Sequence, residues 1–134
     1  MPVSTGGSFV PAYNYDRTGS VDTGGTVSAK GVVTTVTGDA TLPNVTGIYV
    51  LTKGSAAAIT LLAPTVAQIG TRLTIYGGSA FAHVVTATGL VDDGVTGGSK
   101  TTLTFGAFVG ASITLIVAQT GKFGVESKNV VVIT

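Results

Sequence analysis

From Thr26 to the C-terminus, apolar and hydroxyl-bearing residues alternate in short runs, and Gly or Asp closes most of them. A period of two sends successive side chains to opposite faces of a strand. The pattern predicts β-strands at Val27–Val36, Ile48–Thr52, Ala58–Leu62, Arg72–Tyr76, Ala82–Thr88, Thr101–Phe105, Ser112–Ala118, Lys122–Glu126 and Asn129–Ile133. Between them stand Gly38-Asp39, Gly54-Ser55, Gly77-Gly78, Asp92-Asp93-Gly94, Gly97-Gly98 and Gly121, residues suited to turns. One short helical turn is predicted over Pro64–Gly70, with Pro at its start and Gly at its end. Strands at this spacing indicate a sandwich or a closed barrel.

A motif of apolar residue, Thr, apolar residue recurs as Ile59-Thr60-Leu61, Leu73-Thr74-Ile75, Leu103-Thr104-Phe105 and Ile113-Thr114-Leu115. Each copy predicts two side chains in the core and a hydroxyl on the outer face. The copies are unequally spaced, which argues against a solenoid repeat. Residues 1–26 differ in kind. They hold five Gly, two Pro and no apolar period, and read as an extended N-terminal arm. Within the arm, Phe9, Val10, Tyr13 and Tyr15 form an apolar cluster suited to anchoring on a neighbouring surface. The expected organisation is an arm over residues 1–26 and a β-domain over residues 27–134. Its class is all-β, a compact antiparallel sandwich or barrel-like domain.

Composition sharpens this picture at one point. Charged residues are 10% of the 134 residues, against about 25% in ordinary soluble domains. Strand surfaces are normally protected from one another by charge, Lys above all. Here 23 Thr stand where charge would be expected. The segment Val130-Val131-Val132-Ile133 is apolar on both faces, so it is expected to be central in a sheet or covered by another chain. These features lead to the expectation of a homo-oligomer, although Gly and Thr would also keep a monomer's surface in contact with water.

Charge and chemistry exclude more than they suggest. The seven Lys and Arg are scattered, with no patch for phosphates, and Trp is absent, so nucleic-acid binding is not expected. The N-terminus lacks the basic and apolar regions of a secretory signal, and no apolar run reaches the length of a membrane helix. A membrane barrel wants longer strands with aromatic girdles, which this chain does not show. Without Cys there is neither a disulfide nor a thiolate site.

His83, the sole histidine, is expected to serve packing or a hydrogen bond, and no Gly-x-Ser-x-Gly elbow accompanies it. Asp92-Asp93-Gly94 reads as a turn, with a hard-cation loop as the weaker alternative. Asn44-Val45-Thr46 fits a glycosylation sequon without any accompanying signal. No enzyme, cofactor or metal is expected.

Over a little more than half the chain, a family resemblance emerges. Ile59-Thr60-Leu61-Leu62-Ala63-Pro64, the turn to Gly70, Arg72-Leu73-Thr74-Ile75 and Ala82-His83-Val84-Val85-Thr86 are followed by a Gly-rich loop. Leu103-Thr104-Phe105-Gly106, Gly110-Ala111-Ser112-Ile113-Thr114-Leu115 and Lys122-Phe123-Gly124-Val125 complete the series. This resembles the small β-domains of tailed-bacteriophage head-decoration and head-fibre proteins. The resemblance implies a non-enzymatic virion protein, a homotrimer on the capsid exterior whose partners are its own copies and the major capsid protein. Its arm would grip the shell through Phe9, Val10, Tyr13 and Tyr15. The chain has no long fibre shaft, which favours a compact knob. Two alternatives remain: a receptor- or carbohydrate-binding tip of a tail fibre, and a surface-binding β-protein displaying Thr.

Overall fold

A computed structural model describes residues 31–134, and the arm lies outside the described residues with Phe9, Val10, Tyr13 and Tyr15. Ten strands occupy the described part: β1 (Val33–Val36), β2 (Ala40–Thr41), β3 (Gly47–Leu51), β4 (Ala58–Thr60), β5 (Arg72–Gly77), β6 (Val84–Asp92), β7 (Lys100–Phe105), β8 (Ser112–Gln119), β9 (Lys122–Asn129) and β10 (Val131–Ile133). They form one sheet, nearly closed into a barrel. The all-β, barrel-like expectation therefore holds.

The pairing is mixed, however, rather than antiparallel throughout. β1, β3 and β5 lie side by side in parallel, as do β2, β4 and the first half of β6. The chain thus winds through three turns, each contributing one strand to either strip. Val33 sits opposite Ile48 and Ile48 opposite Thr74, so one turn consumes 15 residues and the next 26. Unequal motif spacing had argued against a solenoid. The winding tolerates it because the connection from β4 to β5 absorbs the extra residues, including the 3₁₀ turn Val66–Gln68.

That turn falls within the predicted Pro64–Gly70. The Gln68 side chain accepts from the Thr65 N–H at 2.9 Å, and the Gln68 N–H donates to the Thr65 carbonyl at 3.0 Å. Gly70, at φ 97°, ends it in a conformation that L side chains disfavour.

The remaining strands close the sheet mainly in antiparallel fashion. β8 pairs with β5, β9 with β8, β7 with β6, and β10 with β7. β6 is shared between two neighbourhoods. Its start pairs with β4, and its end runs parallel to β9 through Phe123 opposite Val91. The register slips between Thr86 and Val91, where Gly89 takes φ 64° and lets the strand change partners.

All eight apolar residues of the four Thr-centred motifs are buried in a single core, joined by Leu51, Val85, Phe123 and Val131. Each such side chain contributes roughly 1.5–3 kcal/mol when removed from water. The hydroxyls face outward, and Thr74 Oγ1 meets Thr114 Oγ1 at 3.0 Å across β5 and β8.

Candidate functional site

His83 lies just before β6 and is fully buried. Its Nδ1 accepts a hydrogen bond from the Ala57 N–H at 3.0 Å. Its Nε2 meets Ser79 Oγ at 3.1 Å, and that hydroxyl donates to the Lys53 carbonyl at 2.7 Å. A backbone N–H can only donate, so Nδ1 carries no proton. Ser79 has used its own proton on Lys53, so Nε2–H donates to Ser79. This tautomer is the reverse of the one a general base toward Ser79 needs. Burial, reinforced by the Lys53 charge, pushes the His83 imidazole below its ordinary range and keeps it neutral. The residue is packed and hydrogen-bonded, as its sequence context suggests.

The acidic pair is a turn. Asp93 Oδ1 accepts from the Val95 N–H at 3.2 Å, and Gly94 follows at φ 83°. Asp92 accepts from Ser99 Oγ at 2.6 Å, while Lys122 Nζ donates to Ser99 Oγ and the Gly89 carbonyl. Among the described residues, no three His, Asp or Glu gather as a metal site would require. Asn44 of the sequon is turned inward: its Nδ2 donates to the Leu62 carbonyl at 3.0 Å, and Oδ1 is buried without a partner.

Two adjoining clefts flank the first turn of the coil. One, of about 640 Å³, reaches Val36, Leu42 and Tyr49 of the core. The other, of about 420 Å³, lies between Asn44, Leu62 and Gln68. Asp39 is the one ionisable acid or base lining them, apart from the Tyr49 phenol, and it is already engaged. It accepts from the Ala58 N–H at 2.8 Å and from Lys53 Nζ at 2.7 Å, which together hold its carboxyl below the usual range. Burial pushes the Tyr49 phenol up, and its hydroxyl donates to the Val45 carbonyl at 2.7 Å. The clefts are lined mainly by apolar and hydroxyl side chains, with the Asp39 carboxylate and the Tyr49 phenol both engaged in hydrogen bonds.

The largest departure from an ordinary surface is apolar. Phe108 and Val109, in the loop from β7 to β8, are 66% and 60% exposed. Val130 shares the neighbourhood of Phe108: its side chain and the Phe108 ring both crowd the space above Gly106. Val132, on β10, is 62% exposed. β10 ends the sheet, with β7 its one partner among the described residues. Among the described residues the apolar C-terminal segment is therefore an edge and not a central strand. The Val130 carbonyl receives the Gly106 N–H, and Thr134 exchanges bonds with Thr102, so alternation turns the Val131 and Ile133 backbone groups outward. Lys128 Nζ covers the Val131 carbonyl at 3.2 Å, the one charged side chain on that edge among the described residues.

Sequence reasoning identified the apolar character of residues 130–133 but missed Phe108 and Val109. Their signal is a Phe-Val pair inside a glycine-bounded loop, Gly106 to Gly110, where strand alternation does not apply. No protein-family model matches the chain, and comparison with curated proteins gives no match.

Proposed function

We propose that this chain is a non-enzymatic structural protein of a tailed-bacteriophage virion, decorating or cementing the capsid exterior as a homotrimer. The observation that carries the reading is the charge-poor surface ending in an open, apolar edge. Val130 and Val132 are exposed on or beside β10, and Phe108, which meets Val130 over Gly106, is exposed together with its chain neighbour Val109. Native β-proteins protect such edges with several charges, and among the described residues this edge has Lys128 alone. Contiguous apolar surface of this kind marks protein contacts.

The outer face supports the same reading. Its Thr rows give many hydroxyls at low charge, a surface that remains hydrated and packs against another protein with little desolvation of ions. The barrel interior is filled by Leu, Ile, Val and Phe, whereas membrane barrels place apolar residues outside and polar ones within. The family resemblance supplies the capsid as partner. In this reading Phe9, Val10, Tyr13 and Tyr15 of the arm contact the major capsid protein, and the β-domain supplies the contacts between copies.

Co-sedimentation with capsids of its own phage tests the proposal. The full chain is expected to pellet with capsids and to saturate them at a fixed ratio. A chain that stays in the supernatant at every concentration, while remaining folded, removes capsid decoration. Binding to glycans with no binding to capsids would favour the fibre-tip alternative.

A further inference from the structure

We infer that His83 is an acid-sensitive clasp that joins the loops 52–57 and 78–83 at one end of the barrel. Those loops connect β3 to β4 and β5 to β6, the same position in successive turns of the coil. Two bonds cross between them at the histidine, Ala57 N–H to Nδ1 and Ser79 O–H to the Lys53 carbonyl, and Nε2–H to Ser79 Oγ links the two within the loop 78–83. The ring is wholly buried, and its own carbonyl receives the Phe105 N–H at 2.9 Å, which ties the clasp to the end of β7.

A proton on Nδ1 undoes this arrangement. The ring would then present a donor to the Ala57 N–H, itself a donor, and would carry charge with no water beside it. The Ser79 backbone favours the charged ring, but burial outweighs it. Lys53, on the loop 52–57, is a cation, and the nearby carboxylate of Asp39 is already held by Lys53 and the Ala58 N–H. The loops 78–83 and 106–111, β4 and β7's inner end at Phe105 bring no acid, base or carboxylate to face the ring. Protonation therefore expels the imidazole and loosens the two loops between their ends, which stay held by Gly78 N–H to the Leu51 carbonyl and Val84 N–H to the Ala57 carbonyl. The strand pairings on either side, such as Ile59 with Val85 and Ile75 with Ile113, do not depend on the ring and remain. Phe81, on the released loop and already 40% exposed, becomes more accessible. The consequence is an end of the barrel that is closed at neutral pH and loosened in acid.

The test is hydrogen exchange and imidazole nitrogen NMR on the full chain from pH 7.5 to 4.5. Exchange rates are corrected for the intrinsic effect of pH. The neutral Nε2–H tautomer is expected at pH 7.5. As it disappears, the Ala57 amide is expected to lose protection by tenfold or more in step with ring protonation, while Ile113 and Leu115 stay protected. H83Q, whose amide can accept from one side and donate to the other, is expected to remove that pH dependence. Loss of protection at Ala57 and Ile113 together would overturn the clasp, because it would signal global unfolding. An Ala57 amide that stays protected through protonation of the ring would overturn it too, as would an Nδ1–H tautomer at pH 7.5. These readouts on the native chain decide the matter even if H83Q does not fold.

Discussion

Val130 places a β-branched side chain on a left-handed backbone, φ 55°, at the point where β9 gives way to β10. Left-handed conformation costs an ordinary residue about 1–2 kcal/mol, whereas Gly gives back roughly 0.5–1 kcal/mol of that through its freer unfolded chain. Val130→Gly is therefore expected to raise stability by a few tenths to about 1 kcal/mol in urea unfolding. It should also weaken self-association, because the exposed methyls disappear. Gly106→Ala works in the opposite sense. A Cβ there would overlap the Val130 side chain and crowd Phe108, and overpacking of this kind costs about 1–3 kcal/mol.

At the same scale, His83 sets a pH dependence whose sign follows from its lowered pKa. The unfolded chain takes up a proton near pH 6.5, about the ordinary value, while the folded chain does not until lower pH. Stability is thus complete above about pH 6.5 and declines as pH falls toward the folded-state pKa. Unfolding midpoints of the native chain should fall over that range, and those of His83→Gln should not share this component. The residue's buried, bonded state was legible because a lone histidine at the head of an apolar strand lacks partners for catalysis. The identity of those partners was not legible, since Ala57 meets it only through the winding of the coil and Ser79 only through the local shape of the loop 78–83.

Among elements, the four Thr-centred motifs were the most readable part of the chain. Strict alternation leaves one choice of face once a core exists, and all four segments bury their apolar pairs. The coupling across them is measurable. Thr74 and Thr114 are direct cross-strand partners with hydroxyls at 3.0 Å, so a double-mutant cycle to Val should give about 0.2–1 kcal/mol of interaction energy. The parallel winding was not readable. Partner choice depends on which strands meet in space, and alternation is the same for parallel and antiparallel neighbours. β2, with two residues, is too short for any period to register.

The last two strands show a different failure. Both were anticipated, but β9 runs on to Asn129 and the break falls at Val130, where propensity favours continuing. The resulting edge relies on Lys128. Lys128→Ala should leave the fold intact and increase concentration-dependent aggregation, read by light scattering. Unchanged scattering would mean that the edge is protected otherwise.

For the whole molecule, the governing quantity is charge density. With 10% charged residues and exposed Phe108, Val109, Val130 and Val132, the surface has few means of resisting contact with other copies. The arm carries a second expectation. A chain starting at Thr26 should remain folded and oligomeric, because residues 1–26 bring no periodic apolar face to a core. It should bind capsids much more weakly, since burying aromatic side chains stabilises by roughly 1.5–3 kcal/mol each and several copies act together. Circular dichroism, sizing and co-sedimentation separate these outcomes.

The proposed function rests on the apolar, charge-poor surface being shared between copies. The most direct measurement is the solution mass of the full chain by light scattering after size exclusion, across a dilution series in the micromolar range. The account predicts a mass three times that of the 13.2 kDa chain, stable on dilution, and reduced by Val132→Lys. A single-chain mass at every concentration, from a folded sample, would contradict it.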